Sequence, residues 1–124
     1  MRRDESGQGP LITGFSGRGF RVRDDLFPDG LLISPLRALA WTDAPAAAEA
    51  LAPSALGDLL DIDPAPEFLL LGTGAALVRP PPSFVRALEA RGIGVEAMDS
   101  RAAARAWSVL RAEERWIVGA LLPL

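Results

Sequence analysis

The chain has 124 residues, 13 basic and 16 acidic for a net charge of -3, and is 49% hydrophobic. It contains no histidine, cysteine, lysine, tyrosine or asparagine, every basic residue being arginine, so the usual general base, thiolate nucleophile, Schiff-base amine and zinc ligands are missing. This composition fits one domain with an ordinary core and favours binding over catalysis, while excluding a disulfide framework and disfavouring a sequence-independent grip on nucleic acid.

All-arginine basicity on an Ala-, Gly- and Pro-rich background also matches the codon bias of a GC-rich genome, which accounts for the missing Lys, Asn and Tyr without reference to function. Residues 1–10, charged and ending in Pro10, read as a frayed tail, leaving 11–124 as a single domain. Met1-Arg2-Arg3 leads into Asp4-Glu5-Ser6-Gly7, where a signal peptide needs its apolar run. Residues 11–15 and 19–23 flank Ser16-Gly17-Arg18, where glycine takes a positive φ, and read as a β-hairpin. Phe20 and Val22 alternate there with Arg21 and Arg23, leaving one face wet. Residues 24–30, with Pro28-Asp29-Gly30, read as a turn, and Leu31-Leu32-Ile33-Ser34-Pro35 as a short strand stopped by proline. A further short strand is expected through Leu39-Ala40-Trp41.

Between 43 and 66, Pro45 and Pro53 interrupt an Ala-rich stretch. A loop is expected, then a helix from Pro53 or Ser54 to about Leu60 with Ser54 as its cap, then a linker over 61–66. Asp61 and Asp63 flank an apolar residue in that linker, too few convergent oxygens for a hard cation. Phe68-Leu69-Leu70-Leu71, bounded by Pro66 and Gly72, reads as a central strand covered on both faces. Leu77-Val78 extends or re-enters the sheet. Pro81-Pro82-Ser83 start a helix through Arg91, with Phe84, Leu88 and Val85 as its buried stripe and Gly92 as its stop. Residues 94–98 form the next strand. Asp99 or Ser100 caps a helix to about Arg111, whose Ala103, Trp107 and Leu110 share one face, and 116–122 form a closing strand, far short of the roughly 20 residues of a membrane span. Strands first, then strict alternation, predict an α/β domain with a mixed sheet.

Gly72-Thr73-Gly74 follows the central strand, where ligands commonly bind in open α/β sheets, and exposed amides there would hold an anion. The dinucleotide pattern fails, because Leu77 stands at the third glycine, and the lysine of a P-loop is absent; a tight strand exit is the plainer reading. A second cluster, Asp99, Arg101, Arg105, Glu113, Glu114 and Arg115, lies on or beside the last helix. It reads either as an ion-pair network, each surface pair contributing about 0–1 kcal/mol, or as an Arg-lined pocket for a carboxylate or phosphate. Trp41, Trp107 and Trp116 are expected in the core, and Trp116 beside Arg115 also fits an interface anchor.

Phe68-Leu69-Leu70-Leu71-Gly72-Thr73-Gly74, then the run from Gly92 through Ser100, then Ala103, Arg105, Leu110, Glu113, Arg115, Val118, Ala120 and Leu121 resemble the small domain shared by mitochondrial NADH dehydrogenase (complex I) assembly factor 3, the adipogenesis-associated domain proteins and many uncharacterised bacterial and archaeal proteins. The resemblance is strongest from 66 to 121, and Phe20, Leu31 to Pro35 and Trp41 are compatible with it. It implies a compact three-layer α/β domain with an N-terminal hairpin and about three helices, no established catalytic reaction, and a partner-binding role in respiratory complex I biogenesis. The chain departs from the family at Ala106-Trp107-Ser108 (usually Thr-Tyr-Asn), at Ser100 (usually Thr) and at Glu114 (usually Gly).

The expectation is therefore a cytoplasmic, non-catalytic protein-interaction domain without metal or cofactor, whose partner is a respiratory-complex subunit or a second copy of itself. Its binding residues are Gly72, Thr73, Gly74, Asp99, Arg105, Glu113, Arg115 and Trp116. The alternative is a small-molecule or anion-binding protein, or a weak hydrolase, with Asp99, Arg105, Glu113 and Arg115 gathered around the Gly72-Thr73-Gly74 loop.

Overall fold

Alternation of apolar and charged residues at 19–23 does produce a hairpin. In the computed structural model, which describes residues 9–124, β1 (Ile12–Ser16) and β2 (Gly19–Val22) pair antiparallel around Gly17 at φ 60°. A third strand, β3 (Asp25–Phe27), continues the meander where only a turn was expected. The reversal is made by Arg23 at φ 57°, a conformation that non-glycine residues rarely adopt and that sequence reading does not anticipate.

The remaining strands, β4 (Leu31–Ile33), β5 (Ala38–Ala40), β6 (Phe68–Gly72), β7 (Gly94–Met98) and β8 (Val118–Leu121), form one mixed sheet in the order β5-β4-β8-β6-β7. β4 is antiparallel to β5 and β8, and β6 is parallel to β7 and β8. The run at 68–71 is interior, with Leu69, Leu70 and Leu71 fully buried, but the middle position belongs to β8. All four residues of β8 are buried, and without it the β4–β5 and β6–β7 pairs would have no common ladder.

Two α-helices cover opposite faces, α1 (Pro82–Glu89) and α2 (Ser100–Ala112). The helix expected near 53–60 is a single 3-10 turn, Pro53–Leu56, preceded by another at Ala48–Ala50. Pro53 at its start and Gly57 at φ 57° leave four residues between them, too few for an α-helix to repay its nucleation. Leu77-Val78 does not join the sheet. The Thr73 hydroxyl donates to the Ala76 carbonyl (2.6 Å) and accepts from the Val78 amide (3.0 Å), curling the chain back on itself.

Odd positions of β6 (Leu69, Leu71) and even positions of β8 (Val118, Ala120) pack with Phe84, Leu88, Leu56 and Trp41 on the α1 face. Leu70 and Leu121 pack with Trp107, Ala103, Ala104 and the meander's Phe20 and Val22 on the other. The outcome is three layers. On α2 the inward stripe is Ala103, Trp107 and Arg111; Leu110 is only partly buried. The expected tail at 1–10 falls on residues 1–8, which lie outside the described residues, and on Gly9 and Pro10. Pro10 is buried, and its carbonyl accepts a hydrogen bond from Trp107 Nε1 (3.0 Å).

α2 ends in a Schellman motif: the Arg115 amide donates to the Leu110 carbonyl (3.0 Å) and the Glu114 amide to that of Arg111 (2.9 Å). Glu114 takes φ 63° to make it. That is the left-handed position where glycine ordinarily sits, which explains why glycine is the usual residue of the resembling family. Among the described residues no helix is long and apolar enough to cross a membrane.

Gly119 faces α2 with no room to spare: a Cβ there would lie 2.9 Å from Ile33 Cγ2 and 3.4 Å from Trp107 Cε3. Gly119→Ala is expected to cost about 1–3 kcal/mol by overpacking, measured by denaturant unfolding. Gly14→Ala, with nothing within 4 Å of the added methyl, is expected to stay within about 0.5 kcal/mol of the parent.

Candidate functional site

The residues singled out in the sequence divide along α2. Gly72, Thr73, Gly74 and Asp99 lie at its N-terminal end, Glu113, Arg115 and Trp116 at its C-terminal end, and Arg105 between. Thirteen helical residues separate the ends by roughly 18 Å at 1.5 Å per residue, so these groups do not converge on one substrate.

At the N-terminal end the backbone groups are already engaged. The Thr73 amide donates to the Met98 carbonyl (2.9 Å), and the Gly74 amide donates to Ser100 Oγ (2.8 Å). Ser100, fully buried, donates its hydroxyl hydrogen bond to the Leu122 carbonyl (2.6 Å). Its amide also donates to the Gly74 carbonyl (2.8 Å), and the Leu122 amide to that of Gly72 (2.9 Å). One hydroxyl thus ties the exit of β6, the start of α2 and the end of β8. Gly72 must be glycine, since a Cβ would lie 2.7 Å from Ser100 Oγ. Asp99 caps α2 by accepting from the Ala102 amide (2.9 Å). Beside this knot lies a small hollow of about 250 Å³ lined by Gly74, Ala75, Asp99, Arg101 and Leu124, and the Arg101 guanidinium stacks on the Phe15 ring at 4.6 Å. Ser100 was weighed in the sequence only as a cap; buried hydroxyls that bridge two segments leave no periodic signal.

At the other end Arg115 holds Glu67 through Nε (3.0 Å) and a terminal nitrogen (2.7 Å), both to Oε1, while Oε2 accepts from the Trp116 amide (3.2 Å). Arg115 also lies over the Phe68 ring at 5.6 Å. The Arg115 hydrogen bond, followed by that of the Trp116 amide, holds the Glu67 carboxyl below its ordinary value of about 4.5. The same bond pushes the Arg115 guanidinium up. Trp116 is half-buried, its indole N–H donating to the Pro64 carbonyl (2.6 Å). Arg111, which sequence reading passed over, is buried to 2% exposure and stacks on Trp116 at 5.9 Å while donating to the Arg115 carbonyl. Burial pushes its guanidinium down, and neighbouring Glu114 opposes the shift. Its position, four residues after Trp107 on the inward stripe, is the signal that would have found it. Asp61, weighed as half of a cation pair, instead forms an ion pair with Arg91 (2.8 Å), and no group of three or more acidic side chains among the described residues is placed to hold a metal.

A larger concavity lies elsewhere, on the α1 face at the sheet's edge. A groove of about 720 Å³ runs between β7, α1 and the segment from Leu77 to Pro82. Val95 and Ala97 form its floor, Pro80, Pro81 and Pro82 one wall, and Arg79, Arg86 and Glu49 its charged rim. None of its lining residues is buried, and Leu77 is 63% exposed. Three consecutive prolines shortly after Leu77 are the available sequence signal; in the sequence Pro81 and Pro82 read only as a helix start.

Residues 12–122 match the family described as proteins of unknown function, DUF498/DUF598. An uncharacterised protein of Rhodobacter capsulatus is 36% identical over 115 residues, covering 91% of this chain and 84% of that one. NADH dehydrogenase [ubiquinone] 1 alpha subcomplex assembly factor 3 of Danio rerio is 30% identical over 119 residues, covering 96% of this chain and 67% of that one. A crystal structure of a Bordetella parapertussis protein superposes with a TM-score of 0.82 at 34% identity, covering 93% of this chain and 96% of the other.

Ser100→Ala is expected to lower unfolding free energy by about 1–3 kcal/mol, because it strands the buried Gly74 amide and Leu122 carbonyl; thermal and urea unfolding measure it. Glu67→Gln is expected to lower Tm slightly at neutral pH, the difference shrinking as the pH is taken progressively below about 4.5. Since the folded carboxyl titrates below its ordinary value of about 4.5, its contribution is complete above that value and is lost as pH falls through the folded one. Half-exposure of both partners keeps the effect small.

Proposed function

We propose that this chain, which belongs to the DUF498/DUF598 family of proteins of unknown function, is a non-catalytic protein-interaction domain of the assembly-factor kind. The observation that carries the reading is the shape of the groove beside β7. A small-molecule site encloses most of its ligand, whereas this groove is open along its length, has no buried lining residue and borders a free sheet edge. Such a surface suits a segment of another protein. The relative in Danio rerio, matched over 96% of this chain, is named as an assembly factor of NADH dehydrogenase, and a subunit of that respiratory complex, or a second copy of this chain, is the partner we assign. The acidic net charge of -3 supports a protein rather than a nucleic-acid partner. We place the activity in the cytoplasm.

A small-molecule or anion site at the Gly72-Thr73-Gly74 loop is the second reading, and the hollow beside Asp99 and Arg101 is what favours it. It is the weaker one, because the amides that would cradle an anion already have partners within the fold.

Affinity capture from the native organism with mass spectrometric identification, run alongside solution mass measurement, tests the two. The expected result is a reproducible complex with a respiratory-complex subunit, or a stable dimer. A monomer that recovers neither, and carries a stoichiometric metabolite instead, overturns the interaction reading in favour of the second.

A further inference from the structure

We infer that the groove beside β7 receives an extended, acidic segment of a partner protein, added as a further strand along the free edge of β7; this rests on the protein-interaction reading above and names the surface and the chemistry it selects. β7 is the last strand of its sheet. The Gly94 amide donates to the Glu67 carbonyl (3.3 Å), and the Met98 carbonyl accepts from the Thr73 amide (2.9 Å), so residues of even number turn their backbone toward β6. In a parallel ladder the alternate residues turn theirs away. Val95 and Ala97 therefore present their N–H and C=O groups on the open edge, and the same two side chains form the floor of the groove.

Edges of this kind are usually blunted by proline, a bulge, an inward charge or a covering element. β7 contains no proline, pairs with β6 through five consecutive residues without a register shift, and has one charge, Glu96, which alternation places on the opposite face. The proline wall at 80–82 has no amide protons to offer a ligand. Directional contacts must then come from the β7 edge and from the rim, whose charges are Arg79, Arg86 and Glu49. Neither arginine forms an ion pair among the described residues. The groove is thus locally positive on an acidic protein, which selects an acidic segment. Self-pairing of two β7 edges would set like arginines against each other, so of the two partners assigned above the groove takes the different protein, and a second copy of this chain would have to use another surface.

The test uses the full chain labelled with nitrogen-15 and two capped eight-residue peptides, one alternating valine with glutamate, the other valine with lysine. The acidic peptide is expected to shift amides at 77–79, 85–86 and 94–98, to slow hydrogen exchange at Val95 and Ala97, and to bind at least about tenfold more tightly than the basic one, the gap closing with added salt. Joint replacement Arg79→Glu and Arg86→Glu is expected to weaken it by about tenfold or more. Arg79→Gln with Arg86→Gln, which removes charge without reversing it, should fall between, with Tm of both variants confirming the fold. Equal binding of the two peptides, shifts elsewhere, unprotected Val95 and Ala97 amides, or no binding at millimolar peptide overturns the proposal. A captured partner that still binds the Arg79→Glu, Arg86→Glu variant overturns the groove while leaving the interaction reading intact. The reverse result, peptide binding with no partner in the cell, overturns that reading alone.

Discussion

The close approach of α2 to the five-stranded sheet is the constraint on which the rest of the structure depends. It requires small residues on both surfaces: Ala103 and Ala104 on the helix, Gly72 and Gly119 on the sheet. Between them sits Trp107, fully buried, whose volume fills the layer and whose indole proton finds Pro10. Because the helix lies so near, Ser100 reaches two backbone groups at once. Gly72 is glycine for this packing reason, which removes the need to invoke a ligand to explain the Gly-Thr-Gly sequence.

The two faces of the sheet are covered unequally. α2 and the three-stranded meander blanket one side, whereas the other receives an eight-residue helix and two 3-10 turns. The shorter cover is enough for Phe84, Leu88, Leu56 and Trp41 to seal the core, and α1 packs against the outer strand, but it leaves Val95 and Ala97 only partly buried. The groove over Val95 and Ala97 is what remains. Its character follows from local chemistry: Thr73 curls the chain toward it, prolines stiffen its wall, and two arginines without ion-pair partners among the described residues mark its rim. Partner binding in this fold is thus proposed for the side that folding covers least, where surface can be buried without first displacing anything.

Local pattern made much of this legible. The two-residue alternation at 19–23, the apolar run at 68–71, the proline start of α1 and a cap of α2 at Asp99 or Ser100 each followed from the residues alone, the structure choosing Asp99, and the family resemblance was legible in the glycines and small residues at 68–74 and 92–100. Three features were not, and each depends on contacts distant in sequence or on rare backbone. β3 exists because Arg23 adopts a left-handed conformation. The turn at 53–56 stays short because Pro53 and Gly57 bound it more tightly than its alanines extend it. The place of β8 in the middle depends on which partners it meets, and no window of sequence encodes that. The candidate site suffered most. Residues 99–115 are near neighbours in sequence, yet a helix is a spacer as well as a scaffold, and it carries Asp99 and Arg115 to opposite ends of α2.

The middle position of β8 also sets a timetable for biosynthesis. Leu31 pairs with Leu121 and Leu71 with Ala120, so the two half-sheets cannot join before β8 has been translated. At about 5–20 residues per second, the nascent polypeptide spends some seconds with β4 and β6 made and their joining partner still absent. Until β8 pairs, the edges of β4 and β6 that it covers in the fold are without their partner, and such edges recruit other chains. Completion is a slow, long-range event of the kind that high contact order imposes. A stalled or truncated translation product lacking β8 would therefore be an aggregation nucleus, and chaperone engagement of the ribosome-bound chain would be concentrated in that window.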